Sequence, residues 1–268
     1  MPSTGRLRYL DIPAKPGPRG QSAGTLLLIH GFPLSARMWE PQFALAAEGW
    51  RIIAPHLRGF DGGADDHPAA SVDDYVGDIV DLLDTLHIHD AVVGGLSMGG
   101  YVAFALWRLA PTYIRGLVLA DTKSQADTPE GVEGRKRMLA LVREKGVSAV
   151  ADEMLPKLIG ESTRRDNPAI VDTVRAMILG NSTDAIAGAI TAMMTRPDAT
   201  PLLSTIRVPT LVLVGEEDTL TPPAMSESIN KAVSDTELVL ISKAGHMSNL
   251  EQPEAFNGAL ARFLSRRV

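Results

Sequence analysis

Residues 91–110 read AVVGGLSMGGYVAFALWRLA and contain two predicted elements joined by a short turn. The apolar, β-branched run Ala91–Gly94 is typical of a buried strand, and Met98–Ala110 has the character of a helix. Gly95–Gly99, which connects them, matches the pattern G-x-S-x-G. A chain that turns this sharply from strand to helix has no room for side chains two positions before and after the serine. We therefore predict that Ser97 lies in a strained turn with an exposed hydroxyl, beside free N–H groups at the start of the helix.

Five further apolar runs of similar length predict buried strands. They are Thr25–Ile29, Arg51–Ala54, Leu117–Ala120, Thr210–Val214 and Leu238–Ile241. Segments of helical period separate them. One begins at a capping-box-like Ser71 and Asp74, and the last runs from Pro253 to near Leu264. This alternation predicts an α/β fold with a mostly parallel, doubly wound sheet and helices on both faces.

Residues 122–207 interrupt the alternation, because they contain no convincing strand. Four helical patterns occur there instead, around Pro129–Lys145, Val147–Ile159, Pro168–Leu179 and Thr183–Thr195. We therefore expect a helical cap, or lid, over 122–207, inserted into an α/β core formed by 1–121 and 208–268. The cap carries five methionines, which either pack in its core or form an apolar roof over a cavity. These are Met138, Met154, Met177, Met193 and Met194.

The composition excludes several classes of function. The 268 residues carry a formal net charge of -6, which disfavours nucleic acid and anionic membranes as partners. There is no cysteine, so disulfides, thiolate metal sites and a cysteine nucleophile are excluded. The first twenty residues lack the apolar stretch of a signal peptide, and no segment has the roughly 20 apolar residues of a membrane span. We expect a cytoplasmic protein, and the sequence does not determine its oligomeric state.

The segment His30–Pro33 follows the strand Thr25–Ile29 and predicts one side of an oxyanion hole. A tetrahedral intermediate needs two N–H donors aimed at its oxygen. One expected donor is the N–H of Met98, directly after Ser97, and the other comes from the loop after the early strand. Pro33 has no N–H, so Phe32 is the natural donor there. We interpret His30 as structural, with a catalytic role as the alternative.

A serine hydroxyl needs a base to take its proton, and the base needs an acid to orient it. Asp218 follows the strand Thr210–Val214, and His246 follows Leu238–Ile241, where open α/β sheets place their sites. We predict Asp218 as the acid and His246 as the base. Glu217 and Asp121 remain alternative acids. The other histidines are interpreted as loop, turn or helix-surface residues; they are His56, His67, His87 and His89.

With these residues in place, the chain resembles the α/β-hydrolase superfamily over nearly its full length. The resemblance rests on HGFPLS (His30–Ser35), Trp39, RGF (Arg58–Phe60), GLSMGG (Gly95–Gly100), VGEED (Val214–Asp218) and GHMSNLEQPEAF (Gly245–Phe256). Within it, the chain is similar to bacterial carboxylesterases, cofactor-free perhydrolases and 3-oxoadipate enol-lactonases. The superfamily often has an acidic residue two places before the arginine of RGF, where this chain has His56.

The resemblance implies acyl transfer to water through an acyl-serine on Ser97, with no cofactor and no metal. We expect a carboxylesterase for small or medium acyl chains, whose partner is a small-molecule ester or lactone. An enol-lactonase and a perhydrolase share the same triad and remain alternatives, as does, more distantly, a non-catalytic receptor of this fold. An enol-lactonase would need a cation facing its cavity. The candidates are Arg37, Lys123, Arg135 and Arg137.

Overall fold

The structure is a computed structural model that describes residues 3–4, 7–15, 23–63 and 68–268. Within these residues, eight strands form one sheet in the order β1-β2-β4-β3-β5-β6-β7-β8. The strands are β1 Ser3–Thr4, β2 Leu7–Ile12, β3 Gly24–Ile29, β4 Trp50–Pro55, β5 Ala91–Leu96, β6 Ile114–Ala120, β7 Thr210–Gly215 and β8 Thr236–Ile241. Strand β2 is antiparallel to both of its neighbours, and the six strands β3 to β8 run parallel to one another. The predicted fold class is confirmed.

All six predicted strands lie within observed ones. The apolar runs of β3 to β7 are largely buried, as expected of a sheet covered by helices on both faces. The predicted burial of β8 is wrong, because this strand is at the edge of the sheet and is only partly buried, with Leu240 47% exposed. The sequence prediction missed β1 and β2. The burial of β2 alternates at its start, and its composition is mixed, so it lacks the apolar run that marks the central strands. Its place in the sheet comes from antiparallel pairing with β4, from Tyr9 opposite Pro55 to Ile12 opposite Ile52.

Ten α-helices occur in the described residues. They are α1 Val72–Thr85, α2 Met98–Leu109, α3 Pro129–Leu158, α4 Glu161–Asp166, α5 Ala169–Leu179, α6 Thr183–Met194, α7 Thr200–Leu203, α8 Pro223–Ala232, α9 Ser248–Glu251 and α10 Pro253–Arg267. A 3₁₀ helix covers Ala36–Glu48, and a second covers Pro111–Tyr113. The predicted capping box is present, since the Ser71 hydroxyl accepts from the Asp74 N–H and the Asp74 carboxylate accepts from the Ser71 N–H.

Residues 122–207 contain helices α3 to α7 and no strand, and all of them are described. They lie between β6 and β7, which are adjacent and parallel in the sheet. Helix α3 is broken at Gly146, where φ is 75° and ψ is −175°, so it consists of two helices that meet at the predicted boundary. The division into a core and a cap stays a prediction. Residues 1–2, 5–6, 16–22 and 64–67 of the predicted core, with His67, lie outside the described residues.

The sheet brings four loop segments to one edge. Strands β3, β5, β7 and β8 are parallel and end at Ile29, Leu96, Gly215 and Ile241. Because parallel strands share one carboxyl edge, the loops that follow them converge there. These loops carry the predicted site residues.

Candidate active site

Ser97 lies at the turn between β5 and α2 with φ 55° and ψ −113°, a backbone conformation that residues other than glycine rarely adopt. The glycines around it are a steric requirement. A Cβ at Gly95 would lie 2.2 Å from the Gly99 carbonyl oxygen, and a Cβ at Gly99 would lie 2.1 Å from the Ile29 carbonyl oxygen. The Thr122 hydroxyl, in the segment after β6, donates to the Ser97 carbonyl at 2.8 Å and so holds the turn. The turn therefore has the close backbone approach that the G-x-S-x-G pattern predicts.

The structure brings Ser97, His246 and Asp218 into one chain of hydrogen bonds. His246 Nε2 lies 2.8 Å from Ser97 Oγ, and His246 Nδ1 lies 2.8 Å from Asp218 Oδ2. All three residues are buried, with 9%, 2% and 3% of their surfaces exposed. This is the geometry in which an imidazole can take a hydroxyl proton while a carboxylate stabilises the charge that it gains.

Asp218 is held as a carboxylate by further donors. Its Oδ1 accepts from the N–H groups of Leu220 and Thr221 at 2.8 and 3.0 Å, and its Oδ2 accepts from the Thr221 hydroxyl at 2.6 Å. Burial by itself raises the pKa of Asp218. The charge of His246 and the hydrogen bonds from His246 and Thr221 outweigh burial, so the pKa lies below its ordinary value.

The two alternative acids are engaged elsewhere, and among the described residues neither forms a hydrogen bond or ion pair with the His246 ring. Glu217 accepts from the Ser162 N–H at 2.9 Å and from the Ser162 hydroxyl. Asp121 accepts from the Gly215 N–H at 2.9 Å and from the Ser248 hydroxyl. Burial and the neighbouring charge of Asp218 raise the pKa of Asp121 well above its usual range.

The expected oxyanion donors lie in two loop segments of the sheet edge, the turn after β3 and the start of α2. Phe32 is in a turn closed by a 3.0 Å hydrogen bond from the Leu34 N–H to the Gly31 carbonyl, and the Phe32–Pro33 peptide is cis. Met98 is the first residue of α2. Across the described part of the chain, the N–H groups of Phe32 and Met98 have no hydrogen-bond partner. Both donors are therefore free to bind an oxygen.

His30 has the structural geometry that we expected of it. Its Nδ1 lies 3.0 Å from the Gly31 carbonyl oxygen, and its Nε2 accepts from the Leu57 N–H at 3.0 Å. Burial lowers the pKa of His30 to about 3, so the ring is neutral and joins two loops. His56 is also buried, and burial lowers its pKa to about 4. His87 and His89 are exposed.

Glu251 is a residue of this site that the sequence analysis did not single out. One carboxylate oxygen accepts from the N–H groups of Gly245 and Met247 at 3.0 and 3.1 Å, and the other accepts from the Gly160 N–H at 2.9 Å. The two residues that flank His246 are thus held by one side chain. Its place within the segment Gly245–Phe256, which carries the resemblance, was the signal available.

A cavity of about 480 Å³ adjoins two of the loop segments that carry this site. Phe32, whose N–H is an expected oxyanion donor, and Leu220, whose N–H donates to Asp218, both line this cavity. Helix α3 lines it with Met138, Leu141 and Met154. Two of the five methionines expected as a cavity roof therefore face this space, while Met193 is buried in packing.

Charged residues line the same cavity. Arg135 and Arg137 face it together with Asp127, and Glu153 and Lys157 form an ion pair there. Arg135 Nε lies 3.0 Å from the Asp127 carboxylate, whereas Arg137 has no carboxylate within 4.0 Å among the residues described. Of the four candidate cations, these two arginines line the cavity. Arg37 instead pairs with Asp61 at 3.1 Å, and Lys123 pairs with Asp127 at 3.2 Å.

Comparison with known proteins agrees with this architecture. A family model described as the alpha/beta hydrolase family matches residues 26–259. The chain belongs to the alpha/beta hydrolase family. Hydrolysis is accordingly its general class of reaction.

Among the solved structures to which this hydrolase is similar are an esterase and an enol-lactonase. A thermophilic esterase from Thermogutta terrifontis, in a malate-bound structure, is 37% identical with a TM-score of 0.90, over 97% of this chain and 93% of that chain. An enol-lactonase from Burkholderia xenovorans LB400 is 26% identical with a TM-score of 0.87, over 97% of this chain and 96% of that chain. In sequence, the chain is 27% identical to 3-oxoadipate enol-lactonase 2 of Acinetobacter baylyi, over 90% of this chain and 88% of the relative.

No helix in the described part of this hydrolase is both long enough and apolar enough to cross a membrane. The cytoplasmic location stays a prediction from the sequence.

Proposed function

We propose that the protein hydrolyses carboxylic esters of small or medium acyl chains through an acyl-serine intermediate on Ser97. The observation that carries this proposal is the unbroken hydrogen-bond chain from Ser97 Oγ through His246 to Asp218, with 2.8 Å at both steps. These three residues lie at the carboxyl edge of a parallel sheet. Phe32 and Leu220, from loops at the same edge, line a cavity large enough for a small substrate.

In the proposed first step, His246 Nε2 accepts the Ser97 proton as Ser97 Oγ attacks the ester carbonyl carbon. Asp218 accepts a hydrogen bond from Nδ1, which keeps Nε2 free as the base and stabilises the imidazolium. The four donors around Asp218 keep it ionised while the charge on His246 changes.

The developing oxyanion is placed between the N–H groups of Phe32 and Met98. These donors are already in position and have no other partner to give up. Because negative charge on the oxygen develops only as the carbonyl becomes tetrahedral, the donors stabilise the tetrahedral intermediate more than the planar ester. The intermediate collapses as His246 protonates the leaving alcohol. Water then repeats the path, and the acid and free Ser97 are released.

The preference for small or medium acyl chains rests on the cavity. Its α3 wall is apolar at Met138, Leu141 and Met154, and it suits an alkyl chain of limited length. We regard residues 122–207 as the cap that closes over the core and forms this wall. The likeness to a thermophilic esterase at 37% identity supports ester hydrolysis over other reactions of the family.

The replacement Ser97→Ala tests the proposal. It removes the nucleophile and leaves the glycine-dependent turn in place, so we expect hydrolysis of p-nitrophenyl butyrate to fall by about 10⁴-fold or more. Circular dichroism and urea unfolding check that the variant is folded. Ser226→Ala is the matched control, since Ser226 is buried in α8 with no partner for its hydroxyl among the described residues. Undiminished activity in Ser97→Ala would rule out the assignment.

A second candidate is hydrolysis of anionic lactones or of esters that carry a carboxylate. Arg137 and the free edge of the Arg135 guanidinium favour it, because both face the cavity and can bind a carboxylate. Two of the relatives described above are enol-lactonases.

Arg137→Gln separates the two candidates. If an anionic group binds there, the variant lowers kcat/KM for p-nitrophenyl hemisuccinate by about 10-fold and leaves p-nitrophenyl butyrate unchanged, since one ion pair is lost. Arg143→Gln is the control, because Arg143 is exposed on α3 and does not line the cavity. Equal effects of Arg137→Gln on the two esters would remove the support for this candidate.

A further inference from the structure

Asn181 lies between α5 and α6 and joins three separate segments through its side chain. Its amide nitrogen donates to the Pro33 carbonyl at 2.8 Å and to the Met177 carbonyl at 3.0 Å. Its amide oxygen accepts from the Asp61 N–H at 2.8 Å. The side chain is buried, and each of these bonds has only one chemically possible direction. The orientation of the amide is therefore determined by its partners.

The Pro33 end of this contact adjoins the expected oxyanion donor. Pro33 follows Phe32 in the turn that the Leu34 N–H closes onto the Gly31 carbonyl. The same turn packs against the nucleophile, because a Cβ at Gly31 would lie 3.2 Å from the Leu96 carbonyl oxygen and 3.5 Å from Ser97 Cβ. One side of the turn is thus held by the Ser97 segment, and Asn181 holds the other.

The Asp61 end fixes a second loop of the sheet edge. Asp61 has a φ of 56°, and its carboxylate lies 3.1 Å from Arg37 Nε. Asn181 pairs with the backbone N–H of this residue, so a side chain from the helical segment 122–207 holds two loops that follow β3 and β4. A buried carbonyl at Pro33 would lose its donor if this contact were removed.

We propose that Asn181 is a positioning residue for the oxyanion hole. By donating to the Pro33 carbonyl, Asn181 holds the adjacent Phe32 N–H in its binding position. The inference rests on the proposed serine mechanism. An oxyanion donor works only within a narrow range of distances to the developing charge, so a turn free to move weakens it. Loss of Asn181 is therefore expected to affect the transition state and to leave substrate binding nearly unchanged.

Two variants separate the contacts of Asn181. Asn181→Ala removes all three hydrogen bonds, whereas Asn181→Asp keeps an acceptor for the Asp61 N–H and loses both donors. Ser182→Ala is the matched control, because the Ser182 hydroxyl caps α6 by accepting from the Ala185 N–H at 3.0 Å and does not contact Pro33. Active sites are titrated to completion with a p-nitrophenyl phosphonate, so that kcat refers to folded, reactive enzyme only.

We expect both Asn181 variants to lose about 10-fold or more in kcat per active site on p-nitrophenyl butyrate, with KM within about twofold of the wild type. Their affinity for an alkyl boronic acid, whose tetrahedral adduct places an oxygen in the hole, should weaken in parallel. Ser182→Ala should retain wild-type kcat per active site. An unchanged kcat in Asn181→Asp, or an equal loss in Ser182→Ala, would overturn the inference alone. Wild-type activity in Ser97→Ala would overturn the proposed function and this inference with it.

Discussion

At the scale of single residues, the placement of His246 depends on a neighbour that takes no part in the proposed proton transfers. Glu251 accepts from the N–H groups on both sides of His246 and from Gly160 in the segment 122–207. Three N–H donors on one buried carboxylate leave the loop little freedom. Glu251 restrains the backbone on both sides of His246, and Asp218 holds the imidazole ring that lies 2.8 Å from Ser97 Oγ.

Glu251→Gln tests the restraint. An amide keeps one acceptor oxygen and places an NH₂ group against an N–H, so at least one buried donor loses its partner. We expect kcat/KM on p-nitrophenyl butyrate to fall about 10-fold and the free energy of unfolding to fall by about 1–3 kcal/mol. Steady-state kinetics and urea unfolding measure the two effects. Glu254→Gln, the same change at an exposed position of α10, should alter neither.

At the scale of elements, the break in α3 is decided by one backbone conformation. A Cβ at Gly146 would meet nothing within 4 Å, so space does not require glycine there. The requirement comes from φ 75° and ψ −175°, a region that only glycine occupies readily. The helix before the break supplies Arg135, Arg137 and Met138 to the cavity, and the helix after it supplies Met154.

The same substitution should therefore have opposite effects in two helices. Gly146→Ala is expected to lower the free energy of unfolding by about 1–3 kcal/mol, because alanine is strained in this conformation. Gly77→Ala, inside α1 and also with open space around it, is expected to raise it by up to about 1 kcal/mol. Urea unfolding of both variants measures the difference. A stabilising Gly146→Ala would show that the break is not required by the fold.

At the scale of the whole molecule, one carboxylate ties the beginning and end of the segment 122–207 together. Asp127 lies 2.9 Å from Arg196, 3.0 Å from Arg135 and 3.2 Å from Lys123. Arg196 also stacks over the Tyr101 ring of α2, 4.1 Å from its centroid. Burial alone raises the pKa of Asp127, but the hydrogen bond from Arg196 and the charges of Arg135 and Arg196 lower it far below its ordinary value.

A carboxyl group whose pKa is lower in the folded protein than in the unfolded chain stabilises the folded state when the pH is above the unfolded pKa. That stabilisation is lost as the pH falls from the unfolded pKa toward the folded one. We expect Asp127→Asn to lower the free energy of unfolding at pH 7 by about 3–5 kcal/mol, because three cations lose their shared partner. The gap to the wild type should narrow as the pH falls below about 4. Urea unfolding at several pH values measures it, with Asp90→Asn at an exposed position as the control. A gap independent of pH would exclude the linkage.

A feature could be predicted from the sequence when the interactions that form it are between residues close together in the chain. Local interactions determine the strand, the serine turn and the helix over 91–110. Gly95 and Gly99 therefore predict the turn directly. The positions of Asp218 and His246 follow from where parallel strands end. Strand β2 was missed because its pairing with β4, rather than its own composition, makes it a strand.

The sequence by itself determined the fold class, the turn at Ser97 and the residue types that could act there, since these depend on local periodicity, glycine sterics and chain order. Only the tertiary structure decided which acid faces His246, which arginines face the cavity, and that Asn181 and Glu251 hold loops far from them in sequence. The reason is physical: a hydrogen bond depends on tenths of an ångström between atoms that packing brings together, and no local pattern encodes that distance.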